Sequence, residues 1–75
     1  MIIVSQNRQI IVDSPTQIDY EDGIIGCFRK DGNIIELGVY ELEITPLVFE
    51  KIIEAYKNGE KVFEMPEVYY LRCIK

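Results

Sequence analysis

Carboxylates are the only side chains in this sequence with enough presence to do chemistry. There are thirteen Asp and Glu residues and no histidine. Without histidine there is no Ser-His-Asp or Cys-His nucleophile system, no imidazole general base and no histidine metal ligand. Asp19, Glu21 and Asp22 cluster around one expected hairpin turn. Glu41 and Glu43 flank Leu42 and would share a strand face if that stretch were extended. Either group could hold a divalent cation, but neither follows a calcium-loop pattern. Solvated turn and edge charges are the favoured explanation of both groups, because charge on an edge strand discourages sheet-to-sheet aggregation. The five glycines are isolated, so no phosphate-cradling G-x-G-x-x-G or G-x-x-x-x-G-K loop exists. Cys27 and Cys73 are too far apart for a C-x-x-C motif and read as small buried hydrophobes. No catalytic residue, metal site or cofactor is expected, and the chain reads as a non-enzyme.

Binding remains. Tyr69 and Tyr70 are adjacent on an expected strand, so one of them must point away from the core. With Tyr40, Phe63 and Met65 they could line a groove. Arg8, Arg29 and Arg72 would add charge for a small anionic or nucleotide-like ligand. Ser5, Gln6, Asn7 and Arg8 form a polar hairpin tip with donors in a row. The candidate ligand-binding set is therefore Ser5, Gln6, Asn7, Arg8, Arg29, Tyr69, Tyr70 and Arg72. Ordinary packing by the aromatics and an ordinary solvated tip explain the same residues without a ligand.

The 75 residues carry a net charge of −5 and form one expected domain, 1–75, of marginal size for a monomer. The eight Lys and Arg residues are dispersed, which argues against binding long nucleic acid. No apolar run approaches the ~20 residues of a membrane span, and the N-terminus does not read as a signal peptide. A cytoplasmic location is expected.

The elements that would position these side chains are legible. Thr45–Gly59 is the one expected helix. Thr45 stands as its N-cap, Pro46 follows at the first helical position, and Asn58-Gly59 closes it. Val48, Phe49, Ile52, Ile53 and Tyr56 form its apolar stripe. Strands are expected at Met1–Ser5, Gln9–Asp13, Thr16–Glu21, Ile24–Arg29 and Ile34–Tyr40, with turns at Asp22-Gly23 and residues 30–33. A short strand at Lys61–Glu64 and a last one at Val68–Ile74 follow the helix. Gly26 and Gly38 predict a bulge or sharp bend. The fold class is α+β: a bent antiparallel sheet, a meander of about five strands plus one or two C-terminal strands, with a single amphipathic helix packed on it.

Isoleucines come in pairs, Ile2-Ile3, Ile10-Ile11, Ile24-Ile25 and Ile34-Ile35. Each pair on a strand sends one side chain to each face. One helix covers one face. The other must be covered by the sheet curling on itself or by another subunit, so a homo-oligomer is expected, with a closed small barrel as the alternative.

Ile2–Gln6 (IIVSQ) and Ile52–Glu67 (IIEAYKNGEKVFEMPE) resemble a family of small uncharacterised proteins from phages and integrated elements of Gram-positive bacteria. Its members open with an Ile-Val-Ser-Gln strand and close with an amphipathic helix, Asn-Gly and a Lys-Val-(Phe/Tyr)-x-Met-Pro strand. The likeness covers about a third of the chain, and the tail after Met65-Pro66 departs from it. It implies a viral or mobile-element origin and a helix packed on a small β-rich, pleckstrin-homology-like sheet, and it carries over no catalytic residue. By analogy, the expected function is host-defence antagonism, by sequestering a nucleotide-derived signalling molecule in an oligomer. The alternative is an acidic protein–protein interaction module that inhibits or tethers a host or phage protein.

Overall fold

A computed structural model describes residues 1–28 and 31–67. The expected last strand, Val68–Ile74, lies outside the described residues. The chain runs β1 (Ile2–Val4), β2 (Ile11–Asp13), β3 (Ile18–Glu21), β4 (Ile24–Phe28), β5 (Ile34–Val39), α1 (Thr45–Lys57) and β6 (Val62–Glu64). This is the expected α+β class, with antiparallel hairpins and a single helix. The strands divide into two three-stranded sheets, in the orders β2-β1-β6 and β3-β4-β5. Within the first sheet β6 runs parallel to β1, pairing Ile3 with Phe63. A parallel partner departs from a purely antiparallel sheet. It arises because the chain crosses the whole molecule and the helix before it returns to β1, as parallel pairing requires.

The sheets meet at a corner. The Gln6 N–H donates to the Leu37 carbonyl at 2.8 Å, and the Val39 N–H donates to the Gln6 side-chain carbonyl at 2.9 Å. Beside this corner the β4–β5 register shifts between Ile25 and Gly26. Ile25 pairs with Gly38 and Gly26 with Glu36, so Leu37 is the extra residue of a bulge. The turn Asp22-Gly23 has positive φ at both positions, 51° and 82°, as a two-residue hairpin turn of the primed type demands.

The helix starts differently from expectation. Ile44, not Thr45, is the N-cap, and no side chain caps the first turn. The Glu41 carbonyl already collects the N–H groups of Ile44 and Thr45, so winding begins a turn early. The buried Thr45 hydroxyl then donates back to the Glu41 carbonyl at 2.9 Å, a residue-to-i−4 bond inside the helix. Glu41 and Glu43 consequently sit at a turn and do not share a strand face. The C-terminus behaves as expected. Gly59 is left-handed (φ 72°), its N–H donates to the Tyr56 carbonyl, and the Glu60 N–H donates to the Ala55 carbonyl. These two bonds make a Schellman closure. The buried stripe is Thr45, Val48, Ile52 and Ala55, with Phe49 and Ile53 half-buried. Tyr56, expected on that stripe, is 74% exposed because Ala55 takes the inward position one residue earlier.

One core lies between the sheets and the helix. It gathers Ile3 from β1, Ile25 and Cys27 from β4, Leu37 from β5, then Tyr40, Ile44, Val48, Ile52 and Met65. Of each isoleucine pair in β4 and β5, one member packs inward and the other stays out. Ile25 is fully buried while Ile24 is 40% exposed, and Ile35 packs on the core while Ile34 is 62% exposed. Truncating the two kinds should therefore differ sharply. Ile25→Ala is expected to cost about 2–5 kcal/mol in urea unfolding, and Ile34→Ala to stay within about 0.5 kcal/mol of the parent.

Candidate functional site

The polar tip between β1 and β2 is bound into the fold. The buried Ser5 hydroxyl donates to Asn7 Oδ1 at 2.7 Å and accepts from the Ile10 N–H at 3.0 Å. Asn7 Oδ1 also accepts from the Gln9 N–H at 3.0 Å, an Asx turn. Gln6 is engaged at the sheet corner through both its backbone N–H and its side chain. Arg8 stands in the left-handed region, φ 64°, and its guanidinium donates to the carbonyls of Ser5 at 3.3 Å and Met65 at 3.0 Å. These four candidate residues thus share one place: Ser5 and Asn7 make hydrogen bonds that shape the tip itself, while Gln6 ties it to β5 and Arg8 ties it to the end of β6. Arg29, Tyr69, Tyr70 and Arg72 lie outside the described residues.

Tyr40 belongs to the same clasp. Its ring is buried across Gly38, where a Cβ would come within 2.8 Å of it, and its hydroxyl donates to the Pro66 carbonyl at 2.6 Å. Burial pushes the phenol well above its ordinary value, with the Arg8 charge opposing that rise in part. Tyr40 and Met65 are core residues and Phe63 packs against them, so the groove expected from these side chains is filled.

The outer face of β3-β4-β5 carries a hollow, of which the sequence shows only part of the rim. This open hollow has a volume of about 400 Å³. Its floor is Ile24 and Gly26 from β4 and Ile34 from β5. Asp19 and Glu21 of β3, Asp22 of the turn and Glu36 of β5 ring it. The first three carboxylates are the cluster seen in the sequence. Glu36 joins them only through the β4–β5 pairing, which sets it opposite Gly26, as Asp19 is on the other side. Among the described residues, no group of three or more His, Cys, Asp or Glu is arranged to hold a metal ion. No helix among them is long and apolar enough to cross a membrane.

No family model, curated protein or solved structure matches this chain in comparisons with known proteins.

The clasp makes two measurable demands. Tyr40→Phe removes the donor to the Pro66 carbonyl and should cost about 1 kcal/mol, and Arg8→Ala a similar amount, in denaturant unfolding. The raised phenol also fixes a pH dependence. Between the ordinary tyrosine value near 10 and its own higher value, the folded state holds a proton that the unfolded state has lost. This contribution is complete below about pH 10 and falls away as pH rises further. Tyr40→Phe should lose less stability over that alkaline range than the parent.

Proposed function

We propose that this protein is a non-catalytic binding protein that inhibits or tethers a host or mobile-element protein through its acidic surface. The observation that carries this reading is the ring of four carboxylates around the exposed apolar floor of the β3-β4-β5 face. Such a surface attracts a partner with a basic site and repels phosphate-bearing molecules. The likeness of Ile2–Gln6 and Ile52–Glu67 to phage and mobile-element proteins supports a mobile-element origin. On that reading the protein works in the bacterial cytoplasm.

A second reading is a homo-oligomer that sequesters a nucleotide-derived signal. The exposed Ile24 and Ile34 favour it, since two copies could cover them together. An anionic ligand would then need a site away from the carboxylate ring. Arg8 already donates to two backbone carbonyls.

The readings separate on purification. The full chain, recovered at low salt from Gram-positive cells, should retain one protein in near-stoichiometric amount. That complex should dissociate as salt rises from about 0.05 to 0.5 M, because exposed charge pairs are screened over this range. Recovery of a discrete oligomer that releases an intact nucleotide on heating, with no protein retained, would replace the first reading by the second.

A further inference from the structure

The outward side chains of β3, β4 and β5 fall into three rows across the sheet. The pairing aligns Glu21, Ile24 and Val39 in one row and Asp19, Gly26 and Glu36 in the next. Phe28 and Ile34 form the third. Both outer rows contain exposed or half-buried apolar side chains, with Ile34 at 62% and Val39 at 47% exposure. The middle row has no side chain at its centre and a carboxylate at each end. That notch is built into the fold. A Cβ on Gly26 would meet the Ile35 carbonyl oxygen at 2.9 Å and the Ile34 Cγ2 at 3.1 Å, so the Ile34 side chain leans over the buried glycine and floors the low point, and no larger residue fits at position 26 without displacing backbone.

The dimensions of the notch are set by sheet geometry. Strands lie about 4.8 Å apart, so the Asp19 and Glu36 backbones are about 10 Å apart across Gly26. A cationic head placed over Gly26 can reach both carboxylates, and its alkyl stem would lie on the apolar floor. Rows on one face of a strand recur about every 6.8 Å, which is also the spacing of alternate side chains in any extended chain.

We propose that this face receives an extended protein segment presenting a lysine or arginine between two apolar side chains. The order is apolar-x-basic-x-apolar, with the cation over Gly26 between Asp19 and Glu36. One apolar side chain covers Ile24 and Val39, and the other covers Ile34. The proposal rests on the protein-binding reading and names the partner's chemistry. Charge complementarity selects this occupant. Nucleic acid and anionic lipid meet the same sign of charge, and a second copy would bring its own carboxylate ring against this one.

The test titrates the isotope-labelled full chain with a synthetic peptide containing Val-Ser-Arg-Ser-Val, following amide shifts by NMR. Shifts confined to residues 18–28 and 34–39 are expected. Replacing both valines of the peptide by serine should weaken binding about tenfold, and so should Asp19→Asn with Glu36→Gln in the protein. Equal affinity for the serine peptide would reduce the interaction to bare charge and overturn the proposal. Shifts on another surface would do the same. The protein's own Tyr70, Arg72 and Ile74 follow a similar order, so Arg72→Ser in the full chain is the control. An unchanged affinity is expected, and about a tenfold gain would make the chain's own tail the occupant and overturn the proposal. A retained cellular protein that ignores Asp19→Asn with Glu36→Gln would leave the protein-binding function standing and remove this site. Retention of no protein would remove the function itself.

Discussion

One core must serve every element of this chain, and its limited size decides which face of each strand is dry. A domain of 75 residues buries roughly 60% of its unfolded surface. Ile3, Ile25, Leu37, Val48, Ile52 and Met65 occupy that interior. Their neighbours Ile24 and Ile34 are left outside by the two-residue period of a strand, since no second helix or sheet covers the far side of β3-β4-β5 among the described residues. An apolar outer face is thus a direct consequence of isoleucine pairs on a single-core fold. The carboxylates around it counter the association that bare isoleucines would invite.

The same economy explains the clasp. β1 is the centre of its sheet, and its continuation at Gln6 binds β5 through both backbone and side chain, which fastens one side of the two sheets. Tyr40 closes the other side. Its N–H donates to the Gly23 carbonyl, its ring crosses Gly38, and its hydroxyl reaches Pro66. Gly23 faces the Tyr40 carbonyl so closely that a Cβ there would come within 2.6 Å. A hairpin turn, a bulge and the end of β6 are thereby held around one aromatic side chain. The polar tip contributes structure: Ser5 and Asn7 accept the backbone N–H groups of Ile10 and Gln9 where the chain turns, and Arg8 ties the tip to the Met65 carbonyl.

Local chemistry was legible in the sequence, and long-range pairing was not. Asp22-Gly23 and Asn58-Gly59 each encode a backbone geometry in two residues, and each adopts it, whereas Pro46, expected at the first helical position, stands second because the helix starts at Thr45. The α+β class followed from the isoleucine-rich strands and the one helical period. Thr45 has the side chain of a cap, yet it lies inside the helix, because the turn at Glu41 already supplies the first carbonyl. The parallel union of β1 with β6 joins residues about sixty positions apart, and nothing local announces it. The acidic ring was seen only in part for the same reason. Asp19, Glu21 and Asp22 are neighbours in sequence, while Glu36 reaches them through a register that a bulge at Leu37 sets.

The central claim is that the isoleucines left outside the core stay on the surface of a single chain, guarded by carboxylates, until a basic partner covers them. Sedimentation velocity of the purified full chain at low ionic strength tests this most directly. The predicted result is a monomer of 8.7 kDa with weak self-association only when salt screens the acidic ring. A tight dimer or larger oligomer at low salt, dissociated by Ile34→Lys, would contradict it and show that copies of this chain cover that face themselves.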